Sequence, residues 1–201
     1  MSQRGTQSIC MGTTHPSTRG RAGASHGFTL VELMITIFVA AILIAIAVPS
    51  FQHIIASSKL ASTANTLVSS LHAARMQAIK RNADVQFCSN DAGINTDSAL
   101  GTQCASQGGA VYMLTTPGGA DTPVQVRTAA SIAQGQQQLD GDITALVFDP
   151  QGLAHEPGQD GPYSGDVADI CTSVMDADNH RVVKMVTGSI IHVTTETGAC
   201  P

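Results

Sequence analysis

The longest apolar stretch of the chain constrains its fold most strongly. From Phe28 to Val48, 21 consecutive residues include one charged side chain, Glu32. As a helix rising about 1.5 Å per residue, this stretch spans roughly 30 Å, the thickness of one bilayer core. A lone carboxylate in a membrane helix costs about 2–3 kcal/mol at mid-depth and less near an end. Because a simple anchor has no use for this charge, Glu32 is a candidate functional residue that needs a partner.

The residues that precede this stretch are polar and basic, contain no acid and show no periodicity, so we do not expect a folded element there. A basic segment before an apolar run is typical of a secretory signal or signal anchor. An ordinary signal peptide would be cut after the run, but the pattern there continues as a helix. A cut after Gly27 would instead place the new ammonium of Phe28 one helical turn from Glu32, or against Glu32 of a neighbouring chain. Met11 is an alternative to Met1 as the first residue.

The helical pattern continues beyond Pro49, which is compatible with a kink in a long helix. From Ser50 to Asn82 the sequence contains no Gly or Pro, and apolar residues recur at helical spacing. We predict one helix from Phe28 to about Arg81, with its second half packed on a C-terminal sheet. The predicted apolar stripe comprises Phe51, Ile54, Ile55, Ala61, Ala64, Leu67, Val68, Leu71, Ala74 and Ala78.

Basic residues are concentrated near the predicted end of this helix. Arg75, Lys80 and Arg81 suit the negative end of the helix dipole, and a basic patch for a partner is the alternative interpretation. His53 and His72 are predicted to be exposed helix positions rather than ligands.

After Ala83 the pattern changes to short alternating runs separated by Gly, Asp, Asn and Pro, which predicts six to eight antiparallel strands. The last two runs flank Thr187-Gly188 and are predicted to form a hairpin. Residues 91–109 and 151–169 are predicted to be long loops. The predicted fold class is α+β, with a long N-terminal transmembrane helix (residues 28–82, membrane segment 28–48) packed on an antiparallel β-sheet or β-sandwich head (residues 83–201).

The charge of the chain is unevenly distributed. The formal net charge is −5, but the residues after Asn82 include three basic and fourteen acidic side chains, which gives about −11 for the head. Such a surface repels nucleic acid phosphates. A solvated acidic surface that aids solubility is the simplest interpretation.

The segment GFTLVELMITIFVAAILIAIAVPSF resembles the class III signal and N-terminal helix of type IV pilins and type II secretion pseudopilins. The matching features are Gly27 before the cut, Phe28 at the first mature position, Glu32 at the fifth and Pro49 at the twenty-second. The resemblance implies that residues 1–27 form a leader, and that a prepilin peptidase removes it on the cytoplasmic side and methylates the Phe28 amine. It also implies that Glu32 pairs with the Phe28 ammonium of an adjacent subunit during assembly.

A second resemblance involves the head. The segment ITALVFDPQGLA, followed by RVVKMVTGSIIHV, resembles the GspH/FimT group of minor pilins and pseudopilins. It implies a structural subunit that is incorporated at, or primes, the tip of a type IV pilus or type II secretion pseudopilus. The implied partners are other minor and major pilins or pseudopilins, contacted through the N-terminal helix. The implied location is the bacterial inner membrane, crossed once, with a periplasmic head that later enters the filament.

Two other functions fit the sequence less well. Some members of the FimT group bind DNA during natural transformation through a G-R-x-R stretch. The matching place here, Gly188-Ser189-Ile190-Ile191, lacks both arginines, which together with the acidic head argues against DNA binding. A membrane-anchored adhesin that never polymerises would gain nothing from Glu32.

Four cysteines follow the predicted cut, Cys88, Cys104, Cys171 and Cys200, and they allow three pairings. The sequence contains no C-x-x-C and no histidine at zinc spacing, which argues against a metal site. A head outside the inner membrane would retain disulfides. We favour Cys88 with Cys104 and Cys171 with Cys200, because these pairs are close in sequence and because minor type IV pilins often carry such bonds.

Motifs of catalysis and cofactor binding are not found in the sequence. Gly161-Pro-Tyr-Ser-Gly165 is not a nucleophile elbow, because the serine is one place late. The sequence contains no phosphate loop and no H-E-x-x-H. Asp176-Ala-Asp178-Asn179 and Asp140-Gly-Asp142 could ligate calcium, but neither continues into a twelve-residue loop, and turns are the simpler interpretation. We therefore predict no enzyme, no cofactor and no metal.

Overall fold

The computed structural model describes residues 27–95, 98–115, 122–132 and 136–201, except for the side chain of Pro49. The predicted leader before Gly27 and both candidate first residues lie outside the described residues. The chain divides into two compact units, one ending at Leu43 and the other comprising Ile44–Pro201. Each unit is described by itself below.

The first unit contains the beginning of a long helix, α1, which comprises Leu30–Arg81. Thr29 precedes the helix, and its hydroxyl accepts a hydrogen bond from the Glu32 backbone N–H at 3.2 Å. The Thr29 carbonyl accepts the first helical bond, from Leu33, at 3.1 Å. This arrangement is an N-cap, which satisfies donors that the first turn would otherwise leave free. The predicted long helix is confirmed, and it continues without interruption through Pro49.

In the second unit, one side of α1 is buried in the core of the head. The buried positions follow a spacing of three and four residues, which places them on one face of the helix; they are Ala56, Leu60, Ala64, Leu67, Leu71, Ala74 and Ala78. The start of the predicted stripe is wrong. Phe51 and Ile54 are 64% and 63% exposed, because the head covers the helix only from Ala56 onward.

The described residues of the head form nine strands in two antiparallel sheets. The five-stranded sheet has the order β3-β2-β1-β5-β6, and the four-stranded sheet has the order β4-β7-β8-β9. The strands are β1 Val85–Phe87, β2 Val111–Thr115, β3 Thr122–Arg127, β4 Gln137–Leu139, β5 Leu146–Phe148, β6 Ala154–His155, β7 Gly165–Thr172, β8 His180–Val186 and β9 Ile190–Glu196. The prediction of six to eight strands was too low, because β4 and β6 have only three and two residues, too few to show alternation.

Both segments predicted as long loops contain regular structure. A 3-10 helix, Ala92–Ile94, and a short helix α2, Ala99–Cys104, lie in the first segment, and β6 and part of β7 lie in the second. In the first segment Leu100 and Cys104 of α2 pack with Cys88, Ala110 and Tyr112 as a small second core. Burial of α2 therefore adds to the local N-caps that Asp91 and Ser98 give to these two short helices.

The predicted hairpin is confirmed, since β8 and β9 pair from Val186–Ile190 to His180–Glu196. Arg75, which the sequence groups with Lys80 and Arg81 near the helix end, has a specific partner in this hairpin. Its guanidinium donates to the carbonyl of Ser189 at 3.0 Å, in the turn of the hairpin. At the other end of β8, the Arg181 guanidinium donates to the Ser57 hydroxyl at 3.3 Å. These two bonds tie α1 to both ends of β8.

Candidate functional site

The predicted processing site lies at the exposed beginning of α1. Phe28 is 67% exposed, and a Cβ atom placed on Gly27 would meet nothing within 4 Å. The backbone around Gly27 therefore does not require a glycine. A requirement for a small residue at this position would have to come from an enzyme that recognises it.

The apolar part of α1 is exposed along its whole length. Its most apolar 18-residue window has a mean hydropathy of 2.8 and no buried residue. Among the residues that the structure describes, α1 is the one helix long and apolar enough to cross a membrane. An apolar surface of this size requires lipid or other apolar helices around it.

Glu32 lies in the first turn of α1, three residues after the capping residue Thr29. A carboxylate there is favoured by the positive end of the helix dipole. Thr29-Leu30-Val31-Glu32 is the sequence signature of a capping box, a signal that our sequence analysis missed. Among the described residues no cation lies within ion-pair distance of Glu32, so any charged partner would have to come from outside them.

The structure joins the four head cysteines as Cys88–Cys104 and Cys171–Cys200, the pairing favoured from the sequence. The first bond holds α2 against β1, and the second holds the C-terminal tail on β7. The tail is also held by Asn179, whose side chain donates to the Gly198 carbonyl at 2.9 Å and accepts from the Gly198 N–H at 3.1 Å. Asn179 therefore acts as a structural turn residue here, as the sequence suggested for this segment.

Beside the tail, His180 lies against carboxylates that the sequence did not connect with it. The Nδ1 atom of His180 is 3.0 Å from both carboxylate oxygens of Asp169, and His180 is only 4% exposed. Asp140 is close enough that the three residues could together hold a metal ion. The contact with Asp169 engages Nδ1 of His180, whereas its Nε2 has no hydrogen-bond partner among the described residues.

A surface ion pair lies on the same sheet. The Lys184 ammonium is 2.9 Å from an oxygen of Asp166 and 3.2 Å from one of Glu196. The Asp166 hydrogen bond raises the pKa of Lys184. Hydrogen bonds from Thr194 and then Lys184 lower the pKa of Glu196. The two carboxylates are exposed and Lys184 is partly buried, and ion pairs at such a surface support the sheet only weakly.

The β8–β9 turn contains Gly188 and Ser189, the place compared above with the G-R-x-R stretch. Gly188 is buried there with φ +64°, its N–H donates to the Tyr163 carbonyl at 2.7 Å, and its carbonyl accepts from Ala154 at 2.8 Å. A Cβ on Gly188 would come within 2.7 Å of the Ala154 carbonyl oxygen. The turn is therefore a packing element of the head.

Two family comparisons agree with the features described above. Residues 63–188 match the type II transport protein GspH, and residues 23–48 match the prokaryotic N-terminal methylation motif. The first match covers more than half of the 201 residues. The chain belongs to the GspH family. This confirms the resemblance found in the sequence and the α+β pilin-like fold class. The comparisons with curated proteins and with solved structures gave no match.

The two matches divide this GspH-family chain by role. The methylation motif includes Gly27, Phe28 and Glu32. The GspH match begins in the buried part of α1 and ends at Gly188, so it spans most of the helix–sheet core and stops one residue before Ser189, whose carbonyl accepts from Arg75. The chain thus combines a pilin-type N-terminus with a GspH-type head.

Proposed function

We propose that this chain is a minor pilin or pseudopilin, a structural subunit without catalytic activity that joins or primes the tip of a type IV pilus or type II secretion pseudopilus. The observation that carries the proposal is the joint occurrence of the methylation motif at residues 23–48 and an exposed apolar segment at the beginning of α1. Such a helix can pass from lipid into a bundle of like helices without changing its apolar surroundings.

In this proposal a prepilin peptidase cuts after Gly27 and methylates Phe28. The subunit waits in the inner membrane with its head in the periplasm, where disulfides such as Cys88–Cys104 and Cys171–Cys200 persist. Glu32, which has no charged partner among the described residues, then pairs with the Phe28 ammonium of a neighbouring subunit. A carboxylate that is costly in lipid until it meets this ammonium favours docking in one register.

Processing is the first experiment. We expect protein isolated from cell membranes to begin with N-methyl-Phe28, as measured by intact mass and N-terminal sequencing. Gly27→Ala should be cut slowly and Gly27→Leu not at all, although the Cβ atom that either change adds meets nothing within 4 Å in this structure. Normal shortening of Gly27→Leu, or a native chain that still begins at Met1 or Met11, would refute the proposal.

Incorporation is the second experiment. Glu32→Ala removes both the charge and the polar N3 side chain of the capping-box signature, whereas Glu32→Gln keeps an N3 side chain that a capping box accepts. Both variants keep the backbone N–H that donates to the Thr29 hydroxyl. We expect both variants to be processed and both to be recovered poorly in sheared filaments, since both lack the charge. If Glu32→Gln is incorporated as well as the native chain, Glu32 acts through helix capping and the inter-subunit ion pair is wrong.

A further inference from the structure

A polar groove runs along the buried half of α1. It measures about 940 Å³ and lies between the helix and the segment that follows β3. Hydroxyl-bearing side chains dominate its lining; they include Ser58, Ser62, Thr66, Ser69, Thr128 and Ser131. A smaller pocket of about 210 Å³ shares Ser62 and Ser131 with the groove, so the two form one surface, which we call the helix groove.

The helix groove contains a buried hydrogen-bond donor that has no partner. Gln137, the first residue of β4, is 7% exposed and lines the smaller pocket. Its Oε1 accepts from the Thr63 hydroxyl at 3.1 Å, whereas its Nε2 has no hydrogen-bond partner in the part of the chain that the structure describes. Buried donors are rarely left unpaired, because the lost hydrogen bonds to water are not replaced. Gln137 Nε2 therefore needs an acceptor that the described residues do not supply.

The charged side chains of the helix groove favour a ligand with negatively charged acceptor groups. Lys59 lines its smaller pocket and Arg127 its larger part, and both are exposed. Neither forms an ion pair within residues 27–95, 98–115, 122–132 and 136–201. By contrast, Arg181 and Lys184 are engaged by neighbours in the head. The described residues that line the groove include no carboxylate, although the chain carries a net charge of −5.

We propose that the helix groove binds an extended peptide segment bearing carboxylate side chains, contributed by another filament subunit. The proposal rests on the proposed function for the source of the segment. From Ser58 to Ser70 the helix rises about 18 Å, the length of about five residues of extended chain. Peptide carbonyls are acceptors for the hydroxyls and for Gln137 Nε2, and carboxylates pair with Lys59 and Arg127.

The test uses the full processed chain in detergent micelles and a fluorescein-labelled hexapeptide of alternating threonine and glutamate. Binding is followed by fluorescence anisotropy. We expect saturable binding that weakens with salt. Lys59→Gln and Arg127→Gln should each raise Kd about three- to fivefold, the size expected for a partly exposed ion pair. The matched control is Lys80→Gln, an exposed lysine in the last turn of α1 and outside the groove, which should leave Kd within about twofold of native.

Three binding results would overturn the whole proposal, and a fourth would overturn its assignment to a peptide. These are no saturable binding below about 1 mM peptide, equal weakening by Lys80→Gln, and equal binding of the matched threonine–lysine peptide. Polygalacturonate that binds as tightly as the peptide, with the same loss in Arg127→Gln, would refute the assignment to a peptide. The N-terminal mass of the same preparation reports processing separately. If the chain is uncut but binds the peptide, the proposed function is contradicted and peptide binding by the groove is supported. If the chain is processed but does not bind the peptide, the proposed function is supported and peptide binding by the groove is refuted.

Discussion

Removal of the Cys171–Cys200 disulfide should destabilise the head without unfolding the C-terminal tail. The two cysteines are 29 residues apart. Closing a loop of that length in the unfolded chain corresponds to about 3–4 kcal/mol in the chain-entropy account. The tail keeps its hydrogen bonds from Asn179 to Gly198 and from the Asp178 N–H to the Thr197 hydroxyl. Most of the effect should therefore arise in the unfolded state.

Urea unfolding of a soluble fragment that begins at Ser50, within the compact unit Ile44–Pro201, measures this difference. Alanine should replace both Cys171 and Cys200, because Cys171 is fully buried and a serine hydroxyl there would lack a partner. We expect a loss of about 3 kcal/mol in the free energy of unfolding and a fall of about 10 °C in Tm. The m-value should rise, since the unfolded chain without the link exposes more surface.

Reduction supplies the control. Dithiothreitol should destabilise the native fragment by more than it does the alanine variant, which retains only Cys88–Cys104 and its 16-residue separation. An alanine variant as stable as the native fragment would refute the loop-closure reasoning, provided that mass spectrometry shows the native bond to be formed. A variant that loses its native circular dichroism would show instead that the bond holds the folded tail in place.

Two further changes test the core and the pH dependence. In a urea titration, Leu67→Ala should lower the free energy of unfolding by about 2–5 kcal/mol, because Leu67 on α1 is fully buried against the sheets. Met76→Ala, on the exposed side of the same helix, is the control and should change this free energy by less than about 0.5 kcal/mol. Burial raises the pKa of Tyr163, so the folded head keeps a proton that the unfolded chain releases above about pH 10. This contribution to stability is fully present below that pH and is lost as the pH rises through the folded-state pKa. In urea titrations from about pH 8 to 11, the free energy of unfolding of Tyr163→Phe should fall less with rising pH than that of the native chain. It should also be less stable by about 1 kcal/mol at neutral pH, because the Tyr163 hydroxyl donates to the Asp166 carbonyl at 2.6 Å. If the free energy of unfolding falls as much in this variant as in the native chain, the alkaline destabilisation arises from other groups, such as Lys184.

The features that the sequence predicts are those whose cause is local. The long helix follows from periodicity and the absence of Gly and Pro over residues 50–82, and the β8–β9 hairpin follows from two alternating runs on either side of Thr187-Gly188. The N-terminal motif is likewise a matter of fixed spacing between Gly27, Phe28 and Glu32. These short-range signals need no knowledge of what each element packs against.

The features that the sequence does not predict depend on contacts between residues that are distant along the chain. Arg75 bonds to Ser189, 114 positions away, and no property of the helix end indicates that choice. The pairing of His180 with Asp169 depends on the register of β7 against β8. Strand β4 is recognisable only because Gln137–Leu139 pair with β7. In each case a short or polar segment acquires its structure from the surface that it meets.

The exposed apolar surface of α1 is longer than a bilayer requires. Phe28–Val48 alone spans about 30 Å, yet Phe51, Ile54 and Ile55 beyond it also remain exposed. Residues 49–55 add about 10 Å of helix, and the head begins to cover α1 only at Ala56. A lipid bilayer of ordinary thickness would leave this additional surface in water, at a cost that rises with its apolar area. Neighbouring helices in a filament would cover both parts, which favours an assembled subunit over a permanent membrane anchor.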